Sequence, residues 1–346
     1  MTHPFHASFM RGLAVSAGLA AAAPAAMAAD KPGEGVTVEM PRPAWDTGWF
    51  QVEVYKEMMR ELGYRFETSP TLDNPVFYSA VGQGDVDLWV NGWFPNHNSY
   101  TDTFQPGAKK VGYVAEGGAL QGYLISKRYA EEYDITHLTD FKRDEVKAAF
   151  DTDGDGKAEL AACPPGWGCE NVIRHHLDAY GLRAHVDPIK ASYSASMADM
   201  VAKHKNGEPV FFYTWTPNWT VGILKPGKDV VWVTVEDTRH PNDLAPSQTT
   251  VRGLASCTQD PCNLGWGISD IRPVANKEFL ADNPAVAKLL AVARIPIRDI
   301  HAQNAKMFRG EDSQEDLVRH AENWIADNRD QVDRWLKQAR AAAETS

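Results

Sequence analysis

Beyond its N-terminal leader the sequence has no run of about eighteen apolar residues, so no membrane-spanning helix is predicted in the body of the chain. Basic residues are in short supply. Lys and Arg number 35 against 46 Asp and Glu, a formal net charge of -11. That balance argues against a general nucleic-acid binder, which needs a basic face, and against adhesion to anionic lipid. Catalytic signatures are missing as well: there is no Gly-rich Lys-Ser/Thr phosphate loop, no Gly-x-Ser-x-Gly elbow and no His-Glu-x-x-His. His175 and His176 are neighbours on a predicted helix and point in different directions, so they make no metal pair. Internal repeats and low-complexity tracts are absent after the leader.

Cysteine is scarce but patterned. The four fall into two close pairs, Cys163/Cys169 and Cys257/Cys262. Four cysteines allow three connectivities, and the short intervals favour the two local ones. Neither interval has the two-to-four-residue spacing of a zinc knuckle. Each small disulfide loop would contribute about 2–3 kcal/mol in the chain-entropy model. Export makes such bonds permissible. The leader supports export: Arg11 precedes the apolar run 12–23, and Ala26-Met27-Ala28 supplies a small-x-small cleavage signal before Ala29. Residues 1–28 are therefore expected to be a signal peptide, with no cysteine at the cleavage point to carry a lipid and a soluble periplasmic product.

What remains is ordinary globular material. The 346 residues, 43% hydrophobic and 23% charged, suggest about two domains at roughly 150 residues each. Val36, Val38 and Met40 alternate as in a strand. Tyr55, Met58, Met59 and Leu62 follow at helical spacing within 46–62, Gly63 offers a stop, and 64–68 is again strand-like. This β–α–β opening predicts an α/β fold. The segments 122–127 and 267–275 each read as a strand leading into a helix. If both cross between lobes, the first lobe comprises 29–121 plus 272–346 and the second 122–271. One or two amphipathic helices, carrying Leu317, Trp324, Ile325, Val332, Trp335 and Leu336, close the chain on the first lobe.

Tryptophan is over-supplied, with eleven in the chain. Trp93 sits in Asn91-Gly-Trp-Phe-Pro-Asn-His97, Trp167 in Cys163-Pro-Pro-Gly-Trp-Gly-Cys169, and Trp215 in Tyr213-Thr-Trp-Thr-Pro-Asn-Trp219. The Gly, Pro and Asn around them predict loops that follow buried strands, where α/β folds gather ligands. Indole faces are negative and solvate a cation without hydrogen bonds, which suits a quaternary ammonium. Three such contacts supply roughly 6 kcal/mol gross, whereas micromolar affinity needs about 8. An anionic end of the ligand would supply the rest, met by the backbone N–H groups of Gly168 and Cys169 and by His97.

A separate segment, Asp151-x-Asp153-x-Asp155-Gly156-Lys157-x-Glu159, has the spacing of a calcium loop: side chains at Asp151, Asp153, Asp155 and Glu159, and the carbonyl of Lys157. Position 12 is Ala162 rather than Glu. A structural Ca²⁺ is expected here, and no cofactor is expected to be required.

Taken together, the segments 91–97, 151–159, 166–170, 213–219 and 224–232 resemble the periplasmic glycine betaine/proline betaine-binding proteins of ProU-type ABC importers over essentially the whole chain after the leader. The resemblance implies a two-lobed periplasmic-binding-protein fold of the class II type, each lobe a mixed sheet flanked by helices, with hinge strands between. It also implies a monomer that delivers its ligand to a membrane permease driven by a cytoplasmic ATPase. Trp93, Trp167 and Trp215 match that family's ammonium cage; His97, Gly168 and Cys169 match its carboxylate partners. Glycine betaine and proline betaine are the implied ligands, ahead of choline and carnitine. The chain departs from the pattern in its second cysteine pair, within Ser256–Cys262, and in Pro165 and Asn218 beside the cage. Two rivals are a sensor subunit of the same fold and a hydrolase built on Asp85 and His97.

Overall fold

The computed structural model describes Met1 and residues 30–67 and 69–345, so the predicted leader, apart from Met1, lies outside the described residues. Among those described, no helix is long and apolar enough to cross a membrane.

One strand organises the molecule. Ala115–Ser126 pairs at its start with Ser269–Asn276, Ala115 opposite Ile271 and Ala119 opposite Ser269. From Leu120 onward its partners are instead Phe211–Thr216 and Val230–Val233. The same backbone therefore runs from the sheet of one lobe into that of the other. The first-lobe sheet adds Leu88–Phe94 and Ala108–Lys110, both antiparallel to Ser269–Asn276. The second adds Ala158–Ala161 and Val186–Ile189. Ala158–Ala161 runs parallel to both Val186–Ile189 and Phe211–Thr216, and the latter is antiparallel to Ala115–Ser126, so the sheet is mixed. This is the two-lobed α/β architecture expected, except that the ladders of the first-lobe sheet among the described residues are all antiparallel, where a mixed sheet was expected in each lobe.

Helices cover both sheets. Trp49–Glu61 buries Val52, Tyr55, Met58 and Met59 and packs on Gln314–Asp327, while Arg329–Glu344 packs on Pro284–Val292. The C-terminal helices thus lie on the first lobe. Ser313 starts the first of them, its hydroxyl accepting the Asp316 N–H at 3.1 Å. In the second lobe, Asp144–Phe150, Gly168–Ala179 and Tyr193–Lys205 flank the sheet.

Two expectations are corrected. The opening strands at 36–40 and 64–68 reduce to a single parallel bridge between Thr37 and Arg65, followed by the two-residue parallel pair Arg42–Pro43 with Thr71–Leu72. Pro41 and Pro43 bring no N–H to a ladder, which keeps this edge short. Trp93 and Trp215 are not on loops. Trp93 lies within the fully buried strand Leu88–Phe94, opposite Ile271, and Trp215 within Phe211–Thr216, opposite Gln121. Gly92 marks close packing in the first of these strands. A β-carbon there would stand 2.9 Å from the Arg272 carbonyl oxygen.

Candidate functional site

The two tryptophan-bearing strands each run out at a cis X-Pro bond, Phe94–Pro95 and Thr216–Pro217. Trp93 and Trp215 near these ends line the same pocket. Trp167 comes from a third direction. Gly166, at φ +84°, turns the Pro164-Pro165-Gly166 segment, and Trp167 is the residue immediately before the helix Gly168–Ala179. The Cys163–Cys169 disulfide closes this turn, and Cys257–Cys262 forms the second predicted bond.

All six sequence-predicted binding residues line one pocket: Trp93, His97, Trp167, Gly168, Cys169 and Trp215. The pocket holds about 340 Å³, part of it open to solvent. Trp167 and Trp215 meet edge-on with ring centroids 5.9 Å apart. Five further residues complete the wall, and sequence reasoning missed them: Trp45, Asn74, Asn96, Gln121 and Tyr213. Trp45 is edge-on to Trp167 at 5.4 Å and makes a fourth indole wall. It was legible in principle, since Pro41-Arg-Pro-Ala-Trp45 has the same proline-rich setting as Trp167. Tyr213 was legible too, being two residues before Trp215 on a strand and so on the same face. Its hydroxyl donates to Gln121 Oε1 at 2.7 Å, a contact only the folded sheet could supply.

No Asp, Glu, Lys or Arg lines this pocket. Its polar groups include His97 and the helix start. The Trp93 backbone N–H donates to His97 Nδ1 at 3.2 Å, and the Tyr78 hydroxyl lies 2.8 Å from the same atom. Nδ1 is therefore an acceptor, and the neutral ring carries its proton on Nε2. Burial pushes the His97 pKa down to about 3, so the ring is neutral at physiological pH. Nε2 lies 3.2 Å from the Asn74 side-chain amide, whose oxygen is the atom that can accept its proton, and on the α-carbon side of Gly168. Gly168 and Cys169, the first two helical residues, are both buried, and their N–H groups have no carbonyl one turn earlier within the helix. Trp93 Nε1, also buried, has no protein partner among the described residues. Indole faces together with N–H donors and a helix N-terminus give a neutral lining that offers a negative surface to a cation and donors to an anion.

Hydrogen bonds cross between the lobes around this pocket. The Trp215 indole N–H donates to Thr47 Oγ1 at 3.3 Å and the Trp167 indole N–H to Asp73 Oδ1 at 3.1 Å. The Tyr100 hydroxyl donates to the Gly166 carbonyl at 2.8 Å. His240 Nε2 lies 3.2 Å from Asn96 Oδ1, and Asn242 donates to the Pro95 carbonyl at 2.9 Å.

Away from the pocket, Asp151, Asp153, Asp155 and Glu159 bring carboxylate oxygens within 4.8 Å of one another. The three aspartates sit on the turn between Asp144–Phe150 and Ala158–Ala161, and Glu159 is the second residue of that strand. Asp151 accepts the Gly154 and Gly156 N–H groups at 2.7 and 2.8 Å, and the Lys157 N–H donates to Asp155 Oδ1 at 2.8 Å. Asp85 is exposed and absent from the pocket wall, and the groups within hydrogen-bond reach of the His97 ring are Tyr78, Asn74 and the Trp93 N–H. The Asp85–His97 pair is not assembled.

Comparison with known proteins gives a consistent picture. Residues 36–327 match the family model described as the substrate binding domain of ABC-type glycine betaine transport systems. The glycine betaine-binding periplasmic protein OusX of Dickeya dadantii is 39% identical over 319 residues, 91% of this chain and 93% of that protein. The glycine betaine/proline betaine-binding periplasmic protein of Salmonella typhimurium is 38% identical over 321 residues, 92% of this chain and 94% of that one. Among solved structures, lactococcal OpuAC closed on glycine betaine superposes with a TM-score of 0.65 at 18% identity, covering 87% of this chain and 99% of that one. A choline-binding protein of an ABC transporter, in complex with choline, gives 0.68 at 16% identity, covering 89% and 97%. At those identities the structural likeness bears on the fold.

Proposed function

Since the chain belongs to the family of substrate-binding domains of ABC-type glycine betaine transport systems, we propose that it captures glycine betaine or proline betaine outside the cytoplasm and presents it to an ABC importer. The observation that carries this reading is the pocket: four indoles, the backbone N–H groups of Gly168 and Cys169 and the neutral His97 share one lining, with no charged side chain among them. In it, the methylated ammonium lies among Trp93, Trp167 and Trp215, with Trp45 as a fourth wall. The carboxylate takes the Gly168 and Cys169 N–H groups and His97 Nε2–H. A zwitterion is net neutral and leaves no uncompensated charge in such a lining, whereas choline would bring a full positive charge and leave the N–H donors without an anion.

The pocket draws residues from both lobes, so ligand binding favours the closed arrangement. The change of partner along Ala115–Ser126 supports lobes of 29–121 plus 272–346 and 122–271, joined by that strand and the connection before Ser269. The relatives are periplasmic, which supports export, and no constellation in the pocket pairs a nucleophile with a base, which supports a non-enzymatic role. A permease with its ATPase is the implied partner. Calorimetric titration with glycine betaine, proline betaine, choline, carnitine and proline tests the reading. Tightest binding by a betaine is expected. Choline binding more tightly than glycine betaine would refute the assignment of the carboxylate partners.

A second reading concerns the 151–159 turn as a structural calcium loop, supported by its convergent carboxylates and their spacing. Titration of chelated protein with Ca²⁺ tests it, and absence of heat uptake removes it.

A further inference from the structure

The proline-rich turn that carries Trp167 does more than present an indole. It docks against the opposite lobe at two points. The Trp167 indole N–H donates to Asp73 Oδ1 at 3.1 Å, and the Gly166 carbonyl accepts the Tyr100 hydroxyl at 2.8 Å. Asp73 immediately precedes the helix Asn74–Gln83, whose first residue, Asn74, lines the pocket. Tyr100 stacks on Tyr78 at 4.8 Å, and Tyr78 bonds His97. Gly166 also lies against Pro75, where a β-carbon would be 3.7 Å from the proline ring. Asp73, Tyr78, His97 and Tyr100 belong to the first lobe, and Gly166 and Trp167 to the second, so neither bond can form unless the lobes meet.

We propose that Asp73 and Tyr100 form a clasp that fastens the Trp167 turn across the cleft, making them positioning residues for ligand retention that do not touch the ligand. This rests on the binding reading above and deepens it. Trp167 serves both parts. One face closes the cage, while its N–H edge is held by a carboxylate. An indole that donates to an anion is richer in electron density on its faces, so the same bond strengthens the attraction for a cation lying against the ring. Closing the clasp fixes the wall, and a cation against the wall favours the closed clasp. The Cys163–Cys169 disulfide adds to this by limiting the excursions of the turn when the clasp is open.

The test compares Asp73→Asn, Tyr100→Phe and the double variant with wild type by stopped-flow tryptophan fluorescence with glycine betaine. Each single variant is expected to raise the dissociation rate roughly three- to tenfold, with the association rate and ligand-free melting temperature unchanged. A purely structural role would instead lower the melting temperature. Trp167→Phe, which keeps an aromatic face and lacks the N–H, supplies the second readout: Asp73→Asn should add nothing in that background. Unchanged dissociation rates in both single variants, or a full Asp73→Asn effect in the Trp167→Phe background, overturns the clasp. Wild-type protein that binds no glycine betaine refutes the binding reading. The clasp is then judged by the same dissociation-rate comparison with choline and carnitine as probes, where faster release from the variants supports it and unchanged rates overturn it.

Discussion

Replacing Trp167 by alanine should remove most of the affinity for glycine betaine while the two lobes stay folded. Three contributions are lost together. The indole wall contributes up to about 2 kcal/mol as a desolvated cation–π contact. Its N–H bond to the Asp73 carboxylate adds about 1 kcal/mol, the ordinary net worth of a hydrogen bond, because solvent screens the exposed Asp73 charge. The packing of Trp45 and Trp215 against it, at 5.4 and 5.9 Å, keeps the remaining walls in place. The first two sum to about 3 kcal/mol, roughly a hundredfold or slightly more in Kd. Isothermal titration calorimetry is the appropriate assay, since removing a tryptophan alters the fluorescence signal itself. Circular dichroism melting of the ligand-free protein serves as the fold control. Trp167→Phe should fall between, near tenfold. A Kd for Trp167→Ala within about fivefold of wild type, with an intact melt, would refute the cage.

Acid should destabilise the ligand-free protein well before its carboxylates titrate. Burial pushes His97 and His176 down to a pKa of about 3 and His240 to about 4, from an ordinary 6.5. Between those values the unfolded chain binds the protons that the folded chain refuses. Stability therefore falls as pH drops below 6.5, by at most about 1.4 kcal/mol per pH unit per histidine. Urea midpoints at pH 7 and pH 5 measure this; equal midpoints contradict it, and His176→Gln should flatten the slope. Cys163→Ser frees the turn before Gly168 and should cost about 2–3 kcal/mol of stability together with a weaker calorimetric Kd. Affinity equal to wild type in that variant would separate the disulfide from the site.

Much of the site was readable from local chemistry. Trp167 between two glycines inside a six-residue cysteine interval could hardly be a core residue, and it stands at the pocket wall. Trp93 and Trp215 were identified for a partly mistaken reason. Proline and glycine nearby suggested loops, yet both residues are strand residues whose strands end just beyond them. Propensity gave way to burial, since all seven residues of Leu88–Phe94 are inside. Trp45 escaped because the segment before the first helix carries no strand or helix period to say which way it faces.

Sequence by itself determined the chemistry available: an acidic, two-domain chain with local disulfides, indoles in quantity, and no catalytic motif. It could do so because residue type and short spacing are local properties. Only the tertiary structure decided that Trp45, Trp93, Trp167 and Trp215, spread over 170 positions of chain, share one pocket, and that Asp73 and Tyr100 reach across to hold one of them. Those meetings depend on where Ala115–Ser126 exchanges one set of strand partners for another, a non-local pairing that no window of sequence contains.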